Sequence, residues 1–194
     1  MKALTQDQLA KVETNLDKYF ELATQEDITS GIEWYKQANK IATSLAKKYN
    51  VPAETVASII SALSPRNRWS QNIKDTVSVL NAIHNNLSPD QIKVCTFNKN
   101  KIKAFLLAQG KTQITVKSPK TFNFVKNIAN LDPAYVTIDV WHLRACFGKT
   151  ITTTLTQTAY DQLKELTINK ATNHGLKGFE YQAIIWNSVK NNFN

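Results

Sequence analysis

Apolar residues recur at three- and four-residue spacing along nearly the whole chain, a period that favours helices over strands. Between about 28 and 49 the apolar positions on one helical face are Ile32, Tyr35, Ala38, Ile41, Ala42 and Leu45. Glycine and proline, which commonly end helices, number only five each among 194 residues. The pattern therefore predicts an all-α protein with long helices and few sharp turns.

Capping residues and breaks in this period predict the bounds of the helices. We expect helices near 6–24, 28–49, 53–63, 70–86, 98–108, 118–130, 140–147, 155–168 and 178–192, with a short one opened by Ser88-Pro89-Asp90-Gln91. The helix at 53–63 is apolar nearly all round and is expected to be central. The segment 112–116 looks extended but is too short to found a sheet. We expect the helices near 28–49, 53–63 and 70–86 to pack beside those near 118–130 and 140–147.

The length of the chain suits a single domain, which can be built as two small helical lobes around a central cleft. The lobes expected are about 1–50 plus 118–194, and about 51–117. The chain has no run of eighteen apolar residues, and its first residues turn polar too early for a signal peptide. We therefore expect a cytoplasmic monomer that does not enter a membrane.

The two cysteines, Cys95 and Cys146, are too few for a disulfide framework and lack the spacing of a zinc or iron–sulfur site. Both are expected to be small core residues. His142 has no second ligand at metal-binding spacing and is interpreted as a packing or hydrogen-bonding histidine. No cofactor and no metal are expected.

Positive charge points to a polyanionic partner. The net charge is +9, and lysine or arginine side chains that neutralise phosphates release counterions and so strengthen binding. A solvated lysine surface is the alternative interpretation. The three arginines, Arg66, Arg68 and Arg144, lie in the two most unusual segments of the chain, and arginine suits planar contacts with phosphates or bases.

Two residues are candidates for catalysis. Lys120 follows Ser118-Pro119 in the first turn of a helix, where the partial positive charge of free N–H groups favours an uncharged amine, the form that attacks a sugar carbon. An ordinary surface lysine is the alternative. Asp139 follows the apolar run 136–138 and is expected to cap the next helix. A carboxylate held in that way would also stabilise positive charge on a sugar that loses its base.

The order of these segments resembles that of helix-hairpin-helix DNA glycosylases, the superfamily of endonuclease-three-type and oxoguanine glycosylases. The similar segments are Ile59-Ile60-Ser61-Ala62-Leu63-Ser64 with Asn72, then Phe97-Asn98-Lys99-Asn100-Lys101-Ile102, then Lys120-Thr121 with Asn127-Ile128-Ala129, and Val136-Thr137-Ile138-Asp139-Val140 with His142 and Arg144. The likeness spans about residues 50–150. The lysine and aspartate of that family are eighteen or nineteen residues apart, and here they are nineteen apart.

The resemblance implies a DNA glycosylase that excises a damaged or modified base and nicks the strand by β-elimination through a Schiff base. Lys120 would displace the base at the anomeric carbon, and Asp139 would activate the lysine and stabilise the developing charge. DNA, including single-stranded DNA, is the implied partner. The residues expected at the substrate are Ser64, Arg66, Arg68, Trp69, Asn72, Trp141, His142, Arg144, Gln182 and Trp186. Packing in the core is the alternative role for the tryptophans, and an amphipathic closing helix is the alternative for 178–192.

One feature departs from that family. The family's glycine-rich hairpin is replaced by Thr115-Val116-Lys117-Ser118-Pro119, so Lys117 and Ser118 are the expected contacts with the DNA backbone. The departure leaves two alternatives open. One is an N-glycosidase acting on single-stranded nucleic acid or free nucleosides, and the other is a non-catalytic nucleic-acid-binding or inhibitory module on the same scaffold.

Overall fold

A computed structural model describes residues 3–148 and 154–192 of the chain. Within them the regular structure is helical: α1 (Gln6–Glu21), α2 (Gln25–Tyr49), α3 (Ala53–Leu63), α4 (Trp69–His84), a 3₁₀ turn (Pro89–Gln91), α5 (Asn98–Ala108), α6 (Pro119–Asn130), α7 (Val140–Phe147), α8 (Gln157–Asn173) and α9 (Gly178–Asn192). The all-α prediction is confirmed. In this part of the chain the segment 112–116 forms no strand. No helix described here has both the length and the apolar content that crossing a membrane requires.

The chain divides into two compact units. The continuous unit is Ala38–Asn130, and the discontinuous unit comprises Met1–Gln37 and Leu131–Asn194. The helix α6 therefore belongs to the same unit as α3, α4 and α5, whereas the expected lobes place 118–130 in the other one.

The continuous unit is organised around α3. Its residues Val56–Leu63 are all buried, and the helix packs against α4, α5 and α6. The expectation that α3 is central is confirmed within this unit, because a short helix that is apolar on every side is stable only where neighbouring helices cover it. The amide of Asn72 on α4 donates to the carbonyl of Ile60 at 3.0 Å and so joins the two helices.

The discontinuous unit contains α1, α7, α8 and α9, which pack against one another, and the first half of α2. Most of α9 is buried, including the whole of Gly178–Ile185. The sequence predicts that the helix near 140–147 packs beside those near 28–49, 53–63 and 70–86. In the structure this helix, α7, packs instead against α1 and α9.

Local hydrogen bonds explain where several helices begin. Thr5 caps α1 in a reciprocal box with Gln8, and Ser88 pairs with Gln91 in the same way, as the sequence predicts. The helix α2 begins at Gln25, earlier than expected. Thr24 and Asp27 exchange hydrogen bonds between side chain and main chain there, at 3.0 and 3.1 Å, which caps the helix at Thr24.

The prediction for the cysteines was half wrong. Cys146 is buried, whereas Cys95 is exposed. Cys95 lies in the irregular stretch before α5, and its main-chain N–H donates to the carboxylate of Asp75 at 2.8 Å. The fold therefore fixes the main chain of Cys95 and leaves its side chain exposed.

The helices α2 and α9 approach closely at Gly31. A Cβ atom at this position would lie 2.6 Å from Cγ1 of Ile184 and 2.7 Å from its main-chain nitrogen. Backbone atoms cannot move aside as a flexible side chain can.

We expect Gly31→Ala to lower the free energy of unfolding by about 1–3 kcal/mol despite the higher helix propensity of alanine. Denaturant unfolding of this variant, with Thr29→Ala on the exposed face of the same helix as the control, measures the effect; equal stability would contradict the close approach.

Candidate functional site

Asp139 lies at the start of α7 on a rigid support. Its Oδ1 accepts hydrogen bonds from the main-chain N–H groups of Trp141 at 3.0 Å and His142 at 2.9 Å. The predicted N-cap is therefore confirmed. The preceding segment is buried, and the hydroxyl of Tyr160 donates to the carbonyl of Val136 at 2.8 Å while accepting from the N–H of Ile138 at 3.1 Å. These bonds fix the carboxylate in one orientation.

Aromatic rings and cations surround this helix start. The guanidinium carbon of Arg144 lies 4.5 Å from the ring centre of Trp141. The Nζ atom of Lys190 lies 3.6 Å from the ring centre of Trp186 and 5.8 Å from that of Trp141. We call Asp139, Trp141, Arg144, Trp186 and Lys190 the Asp139 cluster. All five belong to the discontinuous unit.

Lys190 is exposed at the edge of this cluster. Partial burial of its amine lowers its pKa, and the negative charge of Asp139 acts in the opposite direction. The carboxylate is therefore close enough to influence the amine electrostatically. The ring of Trp186 meets that of Trp34 edge to face, with ring centres 5.5 Å apart, and its buried indole N–H has no acceptor in the described structure.

His142 is a fully buried residue, with a relative exposure of 0 %. Its Nε2 atom lies 3.0 Å from the hydroxyl of Thr167, and that hydroxyl donates its own hydrogen to the carbonyl of Leu163. The hydroxyl can then only accept from the histidine, so Nε2 carries a hydrogen. Burial lowers the pKa of His142 to about 4. This placement supports the interpretation of His142 as a packing residue.

Gln182 also lies in the interior of the discontinuous unit. Its Oε1 atom accepts a hydrogen bond from the hydroxyl of Tyr35 at 3.0 Å, and the side chain is 3 % exposed. Tyr35 is in addition bonded to Thr137 next to the Asp139 segment. Gln182 is therefore linked by hydrogen bonds through Tyr35 to Thr137, in the buried segment that precedes Asp139.

The remaining predicted substrate residues lie in the continuous unit. Arg66 and Arg68 are exposed, Trp69 is half-buried at the start of α4, and Ser64 at the end of α3 donates to the carbonyl of Ser61 at 3.0 Å. Asn72 is buried, and its amide is used in the bond to Ile60. Its role is therefore to join α3 and α4.

A second group of aromatic and charged residues occupies the surface of the continuous unit. The ring of Phe97 is 45 % exposed, and Cζ of Arg66 and Nζ of Lys99 lie 5.6 and 5.8 Å from its centre. We call these three residues the Phe97 surface. Arg66 has φ of 54°, in the left-handed region that a non-glycine residue adopts only when its neighbours hold it there.

The buried carboxylate of Asp75 holds the loop that presents Arg66. It accepts hydrogen bonds from the amides of Asn67 and Gln71, both at 2.8 Å. A third bond, from the N–H of Cys95, ties down the segment that precedes Phe97. One carboxylate therefore connects the two segments that form the Phe97 surface.

Lys117, Ser118 and Lys120 are exposed around the first turn of α6. Lys120 belongs to the continuous unit and Asp139 to the discontinuous unit, and the cleft they are expected to share stays a prediction. In the described ranges no group of three or more histidine, cysteine, aspartate or glutamate side chains has an arrangement that would hold a metal ion.

The sequence patterns do not predict Lys190, Phe97 or Asp75 as site residues. One signal was available for Lys190, because it is four residues after Trp186 and so shares its helical face. Phe97 and Asp75 gave no such signal, since the contacts that join the two segments, Arg66 with Phe97 and Cys95 with Asp75, are between residues twenty or more apart in the sequence.

The described residues thus define an all-α protein that carries two aromatic and basic groups, one with a fixed carboxylate. The chain matches, over residues 1–193, the family described as "Family of unknown function (DUF7178)", and it belongs to that family. Comparison with curated proteins and with solved structures gave no match.

The burial of neutral His142 predicts a pH dependence of stability. Its pKa falls from an ordinary 6.5 to about 4 on folding, so the unfolded chain binds the proton more readily. The stabilisation is complete above about pH 6.5 and is lost as the pH falls towards 4, by roughly 3 kcal/mol in total.

The variant His142→Gln keeps an N–H donor for Thr167 and removes this titration. We expect the difference in unfolding free energy between the native protein and this variant to shrink between pH 7 and pH 4. Urea unfolding at intervals across that range measures it. A difference that does not vary with pH would mean that His142 is not buried in its neutral form.

Proposed function

We propose that the protein is an N-glycosylase that releases a base from nucleic acid, with Asp139 stabilising the positive charge that develops on the sugar. The observation that carries this proposal is the carboxylate of Asp139, fixed by two main-chain N–H groups beside Trp141 and within electrostatic reach of Lys190, with Arg144 placed over the ring of Trp141. Departure of a base leaves a sugar with oxocarbenium character, and a preorganised carboxylate lowers the energy of that state.

The tryptophans of the Asp139 cluster support a base as the group that is recognised. An enzyme that cuts the glycosidic bond must take the base out of its stack and hold it against flat apolar surfaces. Trp141 and Trp186 offer indole rings, and the two cations beside them suit the phosphates that flank the target nucleotide. The resemblance to helix-hairpin-helix glycosylases agrees with this reading and assigns the amine of the reaction to Lys120.

The Phe97 surface favours single-stranded nucleic acid as the form bound. Bases stack on exposed aromatic rings without regard to sequence, while nearby cations contact the backbone. Phe97 with Arg66 and Lys99 provides both elements within about 6 Å. The chain also lacks the glycine-rich hairpin with which the resembled family grips duplex DNA.

The variant Asp139→Asn tests the chemical step. Asparagine is as good an N-cap as aspartate, so the fold should be retained while the charge is lost. We expect the rate of base release to fall by about 10²-fold or more, the scale for removing one preorganised electrostatic group. The measurement is single-turnover release of base from a panel of lesion-bearing single- and double-stranded oligonucleotides.

Two controls accompany this assay. Asp139→Ser keeps a capping oxygen without charge and should match Asp139→Asn, whereas Asp161→Asn removes an exposed carboxylate of α8 and should leave the rate unchanged. Oligonucleotides that bind without release of any base would instead support the non-catalytic module, and undiminished release by Asp139→Asn would overturn the role of this carboxylate.

The binding step gives a separate prediction. Because the contacts of arginine and lysine with phosphates release counterions, affinity for single-stranded oligonucleotides should fall steeply between low and physiological salt. Phe97→Ala should weaken binding by about 1–3 kcal/mol at any salt concentration, since it removes stacking and not charge. Fluorescence anisotropy titrations at several salt concentrations measure both effects. Leu106→Ala, at an exposed apolar residue of α5, is the control, and affinity that does not depend on salt would contradict phosphate binding.

A further inference from the structure

One side of α5 presents two exposed aliphatic side chains that alternate with two lysines. Ile102 and Leu106 are 43 and 37 % exposed and are one helical turn apart. Lys99 and Lys103 each come three residues before one of them. All four therefore share one helical face, at positions i, i+3, i+4 and i+7. We call these four residues the α5 stripe.

The positive charge of the α5 stripe is not balanced by nearby carboxylates. The other side of α5, with Ala104, Phe105 and Leu107, is buried, and the helix packs against α3 and α4. None of the ion pairs among the described residues includes Lys99 or Lys103. Between 91 and 131 the chain has eight lysines and no aspartate or glutamate. The stripe is therefore apolar along one edge and positively charged along the other.

We propose that the α5 stripe docks an acidic amphipathic helix of a partner protein. Aliphatic side chains at this spacing pack against the apolar face of a second helix. Aspartate or glutamate residues beside that face would pair with Lys99 and Lys103, and the contact would remove Ile102 and Leu106 from water. This inference goes beyond the proposed function, because no step of base release takes part in it.

The chemistry of the stripe disfavours two other occupants. In a two-fold dimer the same patch of each copy meets, which would bring lysines against lysines. The continuous unit as a whole has fourteen lysine and arginine residues against three aspartate and glutamate residues. Nucleic-acid bases stack on flat aromatic rings, and Ile102 and Leu106 provide none. An acidic helix with an apolar face complements both the aliphatic side chains and the lysines.

A pair of designed peptides tests the inference on the intact protein. The first peptide is about 18 residues long, enough to form a helix, with leucines along one face, glutamates beside them and alanine elsewhere. The second has the same composition with the leucines dispersed around the helix. We expect the first to bind and the second to bind about tenfold more weakly or less, because only the first has an apolar face. Fluorescence anisotropy of the labelled peptides measures both affinities.

Substitutions in the stripe locate the site. Ile102→Ser and Leu106→Ser should each weaken binding of the first peptide about tenfold, since each removes an aliphatic side chain from the contact. Leu22→Ser, at a leucine of the discontinuous unit that is 45 % exposed, is the matched control and should bind like the native protein. Lys103→Gln should reduce the salt dependence of binding, whereas Lys40→Gln, at an exposed lysine of α2, should leave it unchanged.

A measurement on the native protein alone accompanies the variants: addition of the first peptide should change amide chemical shifts within Asn98–Ala108. Shift changes confined to other segments would overturn the proposal, as would failure of the first peptide to bind. Equal affinity for the two peptides, or binding unchanged in Ile102→Ser and Leu106→Ser, would reduce the interaction to attraction between charges. Self-association that Ile102→Ser abolishes would assign the stripe to a second copy of the chain, and loss of oligonucleotide binding in Leu106→Ser would assign it to nucleic acid.

Discussion

The candidate site depends on one short stretch of main chain, Val136–Asp139, in which hydrogen bonds at Val136, Ile138 and Asp139 hold the chain in place. Burying this segment would be costly if its carbonyl and N–H groups lost their partners. The hydroxyl of Tyr160 satisfies Val136 and Ile138 at once, and Asp139 then satisfies two free N–H groups of α7. The hydrogen bonds that allow this segment to be buried therefore also orient the carboxylate of Asp139.

Several polar side chains that the sequence suggests as functional residues are instead hydrogen-bonded in the interior of the protein. His142, Asn72 and Gln182 are each buried, and each has a defined partner: Thr167, Ile60 and Tyr35. A buried polar group without such a partner costs stability, whereas one that is satisfied fixes how two helices meet. Charged residues such as Arg66, beside the exposed ring of Phe97, and Lys190, beside the half-buried rings of Trp141 and Trp186, are exposed to a ligand.

The sequence predicts the helices well because their signals are local. The bounds of α3, α5, α7 and α9 follow from caps and from the apolar period, and the capping role of Asp139 follows from its position after 136–138. Partnerships across the fold have no such signal. In the sequence Cys95 looks like a small core residue. Its main-chain N–H, and not its side chain, bonds the carboxylate of Asp75, and no local pattern indicates this. Lys190 lies forty-six residues or more beyond Trp141 and Arg144, and only the packing of α7 against α9 brings them together.

The Asp139 cluster and the Phe97 surface have one feature in common, an arginine placed over an aromatic ring. Two of its three arginines lie over aromatic rings, Arg66 over Phe97 in the continuous unit and Arg144 over Trp141 in the discontinuous unit. A guanidinium loses less hydration than an ammonium when it stacks, and it still presents N–H donors at its edge for a phosphate. In the proposed binding of nucleic acid, an arginine already placed over a ring would lose less side-chain entropy when a phosphate contacts it. In the same proposal lysine, which makes up most of the positive charge, would supply long-range attraction, and the two arginines placed over rings would supply defined points of contact.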